Sequence, residues 1–191
     1  MDFSKVFDTV PHQRLIIVLD YYGIHGHHKV WLTNWLTRRE QTVVVDGVSS
    51  PPVHVSSAVP QGTVLGRLMF LLYTNDIGSD CSSTIRLFAD DIILCSIVES
   101  TSDAKHLQSD LSTIERRSQK WLMQFNPSKC FVMRITRKCE PVIFYYKLIG
   151  HTLESALHYP YLGVELSSTS DWSDYIDNKV NKATALNQLK N

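Results

Sequence analysis

The feature that most constrains this chain is the pair Asp90-Asp91, set between two short apolar runs, Ile85-Arg86-Leu87-Phe88 and Ile92-Ile93-Leu94-Cys95. Adjacent aspartates repel each other and compete for backbone hydrogen bonds, so they are poor residues for a strand interior. The runs on either side read as strands. The sequence therefore predicts a β-hairpin with two carboxylates at its turn, where a divalent cation can neutralise them. Magnesium suits that chemistry, because it takes carboxylate oxygens, keeps some waters and is shared with substrate phosphates. Taken alone, the same pair also fits a solvated acidic turn.

A chain of 191 residues, 43% hydrophobic and 20% charged, is long enough for one core and too apolar to stay disordered. Nineteen basic residues cancel nineteen acidic ones overall, but residues 105–147 carry nine Lys/Arg against three Asp/Glu. A basic stretch beside an acidic one is what a site holding both a polyanion and a metal requires. Cys81, Cys95, Cys130 and Cys139 lack paired spacing and read as reduced thiols, which predicts an intracellular protein, cytoplasmic or nuclear. His25, His27 and His28 lack companions at ligand spacing, so a loop is expected there rather than a zinc site. No apolar run approaches ~20 residues, and Asp2 and Lys5 spoil a signal peptide, so no membrane partner is expected.

From the N-terminus, Asp8 or Thr9 can cap a helix with Pro11 near its first turn, buried through Leu15, Ile16, Val18 and Leu19 and ended by Gly23. A second helix is predicted from about His27 to Thr37, with Trp31 and Trp35 as core residues. Gln41 to Asp46 is strand-like, and Asp46-Gly47 signals a hairpin turn. The turn-rich Ser57-Ala58-Val59-Pro60-Gln61-Gly62 then feeds a helix from about Val64 to Asp76, with Leu65, Leu68, Met69, Leu72 and Ile77 on one side. Free amides at such a helix start can receive a phosphate or base. Ala104, Leu107, Leu111, Ile114 and Trp121 give one amphipathic helix from about Ser102 to Met123. Strands are expected at Phe131 to Ile135, Val142 to Tyr146 and Tyr161 to Leu166, then a helix from Trp172 to Leu189.

Asp2-Phe3-Ser4-Lys5-Val6-Phe7-Asp8, Val59-Pro60-Gln61-Gly62 and Phe88-Ala89-Asp90-Asp91 follow one another in the order and spacing of reverse transcriptases. The chain resembles those of non-LTR (LINE-type) retrotransposons of the jockey and chicken-repeat kind. Thr63-Val64-Leu65-Gly66, Tyr73-Thr74-Asn75-Asp76-Ile77, Trp121-Leu122-Met123-Gln124-Phe125-Asn126, Lys129-Cys130 and Tyr161-Leu162-Gly163-Val164 extend the likeness almost end to end. It implies an α+β fold, the palm of a right-hand polymerase: an antiparallel sheet backed by helices, with a partial thumb. Residues 1–157 would be the palm, and residues 158–191 a primer-grip-like turn and truncated thumb helix.

The resemblance also implies roles. Asp2 and Asp90 match the metal-binding carboxylates, with Asp91 the neighbouring acid and the Phe3 carbonyl completing one shell. Two Mg²⁺ ions, or Mn²⁺ in their place, would activate a primer 3′-hydroxyl and stabilise pyrophosphate. Phe7 matches the aromatic that crowds the 2′ position of the sugar. Gln61 and Gly62 match the loop supporting the nascent base pair. Lys129 falls where a lysine can act as general acid. Tyr161, Leu162 and Gly163 resemble a primer grip, while Asp8 and Asp76 are expected to be structural. The implied partners are an RNA template with a DNA primer and deoxynucleoside triphosphates; the oligomeric state is not implied.

The sequence departs from the pattern at Val6, where relatives have alanine, at Ala58 for glycine and at Arg67 for proline. The fingers region and the strand before Asp2 fall outside these residues, so a shortened or decayed copy is expected, binding primed template better than it extends it. The alternatives are a non-catalytic remnant that binds nucleic acid or protein, and a two-metal nuclease, which needs neither Phe7 nor the Pro60-Gln61-Gly62 loop.

Overall fold

The computed structural model describes residues 1–4, 6–170 and 172–188, so Lys5 and Leu189 lie outside the described residues. The aspartate hairpin forms as its sequence predicts. One strand spans Thr84–Phe88 and the other Asp91–Cys95, antiparallel, with Phe88 opposite Asp91 and Thr84 opposite Cys95. Only Ala89 and Asp90 are left for the turn, and Ala89 takes a left-handed φ of +52°. Two-residue hairpin turns favour such a residue because it matches the twist of the strands. For alanine this conformation costs about 1–2 kcal/mol.

In chain order the elements are α1 (Val6–Thr9), α2 (His12–Tyr21), α3 (Gly26–Thr37), β1 (Glu40–Gln41), β2 (Val44–Val45), β3 (Val48–Ser49), β4 (Val53–His54) and α4 (Val64–Thr74). The aspartate hairpin supplies β5 and β6. Then come α5 (Thr101–Lys120), β7 (Phe131–Val132), β8 (Lys147–Leu148), β9 (His151–Thr152), β10 (Glu154–Ser155), β11 (His158–Tyr161), β12 (Val164–Ser167) and α6 (Ser173–Gln188). The fold is mixed α and β. Among the described residues the strands pair two by two, and β7 with β10 is a parallel pair, which departs from the expected all-antiparallel sheet. No helix of the described residues is long and apolar enough to cross a membrane.

The core gathers the inner faces of α2, α4 and α5 with the strand residues that alternate inward. Leu15 and Val18 of α2 share the core with Met69, Phe70 and Tyr73 of α4 and with Ala104, Leu111 and Ile114 of α5. Burial pushes the Tyr73 phenol up to about 12, and its hydroxyl donates to the Trp121 carbonyl. Ser100 and Asp103 cap each other's backbone at the start of α5, which fixes that end of the helix. Arg117 of α5 ion-pairs with Asp76 and, at 2.6 Å, with Asp80, which gives Asp76 the structural part expected of it.

Several local expectations need correction. Trp31 is 56% exposed, and the buried residue of α3 is Leu36. The inner face of α4 runs through Gly66, Met69, Phe70, Tyr73 and Thr74, leaving Leu68 outside. Residues 141–146 form no regular strand, and 158–167 is a hairpin rather than one strand, because Leu162 and Gly163 both turn left-handed, at +50° and +82°. Asp46 and Gly47, at +51° and +81°, make the predicted turn between β2 and β3.

Candidate active site

The strand alternation of β6 decides what reaches the site. Ile92 turns inward and is 1% exposed, so its neighbour Asp91 must turn the other way. Asp2 pairs with Asp91 in an antiparallel bridge, with the Ile92 amide donating to the Met1 carbonyl at 3.0 Å and the Met1 nitrogen donating back to the Ile92 carbonyl at 2.8 Å. Those bonds go to the flanking residues. Asp2 and Asp91 therefore occupy the close, non-hydrogen-bonded position, with both side chains on one face.

On its other edge the same segment pairs with residues 124–126. The Asn126 amide donates to the Asp2 carbonyl at 3.0 Å, and the Ser4 amide donates to the Gln124 carbonyl at 2.7 Å. Phe3 lies between these bonds, which leave its carbonyl unused, and its ring stacks on Phe125 at 4.4 Å. Asp2 was expected to lack a holding strand. It is instead gripped on both edges, by β6 and by the turn after α5.

Charge accumulates on this face. Burial, then the charges of Asp90 and Asp2, push the Asp91 carboxyl above the usual carboxylate range. Asp90 occupies the turn, off the bridge, and acts on Asp91 through its charge. Lys129 answers part of it: its Nζ lies 3.1 Å from Asp2 Oδ2. The lysine is 63% exposed, and exposed pairs contribute only about 0–1 kcal/mol, so this partner is readily displaced. Among the described residues no three His, Cys, Asp or Glu side chains form a ready metal cage. The donor set nevertheless suits a hard divalent cation, since two carboxylates share a face.

Tyr159 of β11 is a residue that sequence reading missed. Burial first, then the charges of Asp91 and Asp2, push its phenol up, and its ring packs against Phe131 at 5.6 Å. It lines a cavity of about 540 Å³ together with Asp91, Leu94, Leu111, Val132 and Leu166. Tyr161, Leu162 and Gly163 form the tip of the same β11–β12 hairpin, with Tyr161 also on the cavity wall.

Phe7, Gln61 and Gly62 belong to a second group. The Phe7 carbonyl accepts from the Val59 amide at 2.8 Å, and its ring packs on Phe70 at 4.5 Å. Pro60 leads into Gln61 and Gly62, both exposed, with Gly62 at a φ of +85°. Thr63 caps α4 by accepting from the Gly66 amide at 3.0 Å, and it donates to the Pro60 carbonyl at 2.8 Å. Gly66 is required there: a Cβ would lie 2.1 Å from the Pro60 oxygen. The loop is thus pressed onto the first turn of α4.

Residues 1–166 match the family described as reverse transcriptase (RNA-dependent DNA polymerase). The chain is 32% identical over 191 residues to the RNA-directed DNA polymerase from mobile element jockey of Drosophila funebris, covering 92% of this chain and 20% of that protein. It is 28% identical over 185 residues to a probable RNA-directed DNA polymerase from transposon BS of Drosophila melanogaster, covering 87% of this chain and 19% of that one. A probable polymerase from transposon X-element of the same fly is 26% identical, again over 92% of this chain and 20% of its own length. The chain spans about one fifth of the length of these curated relatives. With the match running through the paired aspartates, the loop before α4 and the β11–β12 hairpin, the chain belongs to the reverse transcriptase family.

Proposed function

We propose that this chain is the carboxylate-bearing part of an RNA-directed DNA polymerase, extending a DNA primer on an RNA template with deoxynucleoside triphosphates. The observation that supports the reading is the backbone bridge between Asp2 and Asp91, which joins the segment of the first aspartate to that of the paired aspartates. In this reading residues 1–157 are the palm, and residues 158–191 the primer grip and the start of a thumb. Asp2, Asp90, Asp91 and the Phe3 carbonyl would hold two Mg²⁺ ions, or Mn²⁺. When bound, the ions supply Lewis-acid activation of the primer 3′-hydroxyl and charge stabilisation of pyrophosphate.

The chain's own residues do the rest. Phe7 crowds the 2′ position of the sugar, and Gln61 with Gly62 supports the new base pair. Lys129 holds a proton beside Asp2 and delivers it to the leaving group. Tyr161, Leu162 and Gly163 grip the primer end. The excess of basic residues in 105–147 draws in the nucleic acid backbone. These parts bind primed template, while turnover requires residues that clamp the triphosphate, so the chain by itself binds better than it extends.

A second reading, a non-catalytic module that binds nucleic acid, draws on the Lys129–Asp2 pair, which already satisfies one carboxylate. One experiment separates the two. Extension of a primed RNA with Mg²⁺ is measured for this chain alone and for this chain joined to the preceding region of the jockey relative, each with and without Asp91→Asn. The polymerase reading predicts near-background extension by the chain alone and strong, Asp91-dependent extension by the joined protein. A joined protein that stays inert while binding primed RNA supports the second reading. Extension that survives Asp91→Asn overturns the assignment of the carboxylates.

A further inference from the structure

His12 is 3% exposed, an unusual place for an imidazole at the first turn of a helix. Its Nε2–H donates to the Ala58 carbonyl at 2.8 Å, across 46 positions of sequence. This bond is one of a set. The Ala58 amide donates to the Val10 carbonyl at 2.9 Å, the Val59 amide to Phe7 at 2.8 Å, and the Ser57 hydroxyl to the Asp8 carbonyl at 3.1 Å, while Pro11 and Ser57 form a bridge. Residues 57–59 are thus laid along residues 7–12 like a short extra strand.

The strip is under strain where His12 meets it. Ala58 has a φ of +88°, a region that L residues with a Cβ rarely enter. A residue persists there only where its surroundings over-determine it. The carbonyl that receives the imidazole belongs to that same residue. Removing the donor leaves a half-buried carbonyl unpaired at the strained point and favours rotation of the Ala58–Val59 peptide. Pro60 and Gln61 follow at once, and Pro60 is pressed against Gly66 of α4, so rotation at residue 58 must be absorbed by the loop.

We propose that His12 is a positioning residue for nucleotide selection: it locks the Pro60-Gln61-Gly62 loop to the Phe7 segment, so that sugar and base of the incoming nucleotide meet one rigid wall. His12 itself touches neither. The functional half of this inference rests on the polymerase reading above; the latch does not.

Amide hydrogen exchange and steady-state kinetics test it together, comparing the native protein with His12→Ala and His12→Gln, the last keeping an N–H donor of similar reach. Exchange is read in the 191-residue chain, and kinetics in the joined protein. The latch predicts that His12→Ala speeds exchange at Ala58 and Val59 about tenfold, with the Ile92 amide unchanged, and that His12→Gln restores much of the protection. For extension, His12→Ala raises the KM for the correct deoxynucleotide about tenfold and lowers deoxy-over-ribo selectivity, with kcat falling less than about threefold. Unchanged exchange at Ala58 and Val59, or equal acceleration at Ile92, overturns the latch. Loosened exchange with unaltered KM and selectivity overturns the role in selection. Inertness of the native joined protein fails the polymerase reading instead, and with it the selection role, while the exchange data still decide the latch.

Discussion

Asp91 is half-buried within the field of Asp90 and Asp2, and burial first, then those charges, hold its carboxyl high. A carboxyl whose folded pKa is raised favours the fold while protonated, and that contribution is lost as pH rises through the folded value. At neutral pH the ionised side chain therefore weakens the structure. Asp91→Asn should raise the melting temperature at pH 7, on the order of 1–3 °C for a chain of this size, and the gain should shrink as pH falls below about 4. Thermal melts of both proteins from pH 7 to pH 3 check this, and a gain that is absent or independent of pH would contradict it. Ala58 presents the reverse case, a strain that a smaller residue relieves. Ala58→Gly keeps the +88° conformation without a Cβ penalty and should stabilise by about 1 kcal/mol in urea unfolding. The sequence already marked this position, since alanine stands where the family pattern has glycine. What it did not mark was His12, whose neighbours Pro11 and Gln13 suggest only a helix start.

At the scale of elements, α5 shows what periodicity can and cannot carry. Its apolar residues recur every three or four positions, so the helix and its inner face were legible, but its start was read at about Ser102, whereas Ser100 and Asp103 begin it in the structure. Asp110 lies among those apolar positions as a buried carboxylate, and no pattern explains it. The structure does. The Ser83 amide donates to it at 2.7 Å, the Ser82 hydroxyl at 3.0 Å and the Ser82 amide at 3.3 Å, tying α5 to the start of β5. Burial alone would raise the Asp110 carboxyl, but the bonds from Ser83 and Ser82 outweigh it and hold the group low. The sign is opposite to Asp91: stability is present above the unfolded pKa and lost as pH falls through the folded one. Asp110→Ala should cost about 1.5–3 kcal/mol at pH 7, less in acid, as urea unfolding at pH 7 and pH 3 would show. The two-residue strands were the hardest part to read. β7 and β10 owe their pairing to each other across more than twenty positions, while β8 and β9 close on a two-residue turn, and a run such as Val142 to Tyr146 can look strand-like and still find no partner.

At the scale of the whole molecule, the decisive contact joins Asp2 to Asp91 across 88 intervening positions. No local period reports such a contact. It was legible only through the order of motifs, and its physical basis is the sandwiching of residues 1–4 between β6 and residues 124–126. That sandwich fixes the direction of Asp2 through two sets of backbone bonds and the Phe3–Phe125 stack. The proposal to test is that this junction would hold a divalent cation between the two carboxylates. Titrating isotopically labelled protein with sub-stoichiometric Mn²⁺ tests it without any need for turnover, because the paramagnetic ion broadens nearby amide signals. The account predicts that Met1 to Ser4 and Ala89 to Ile92 broaden together and first, that excess Mg²⁺ restores them, and that Asp91→Asn abolishes the effect. Broadening centred elsewhere, confined to one of the two segments, or unchanged in Asp91→Asn would contradict it.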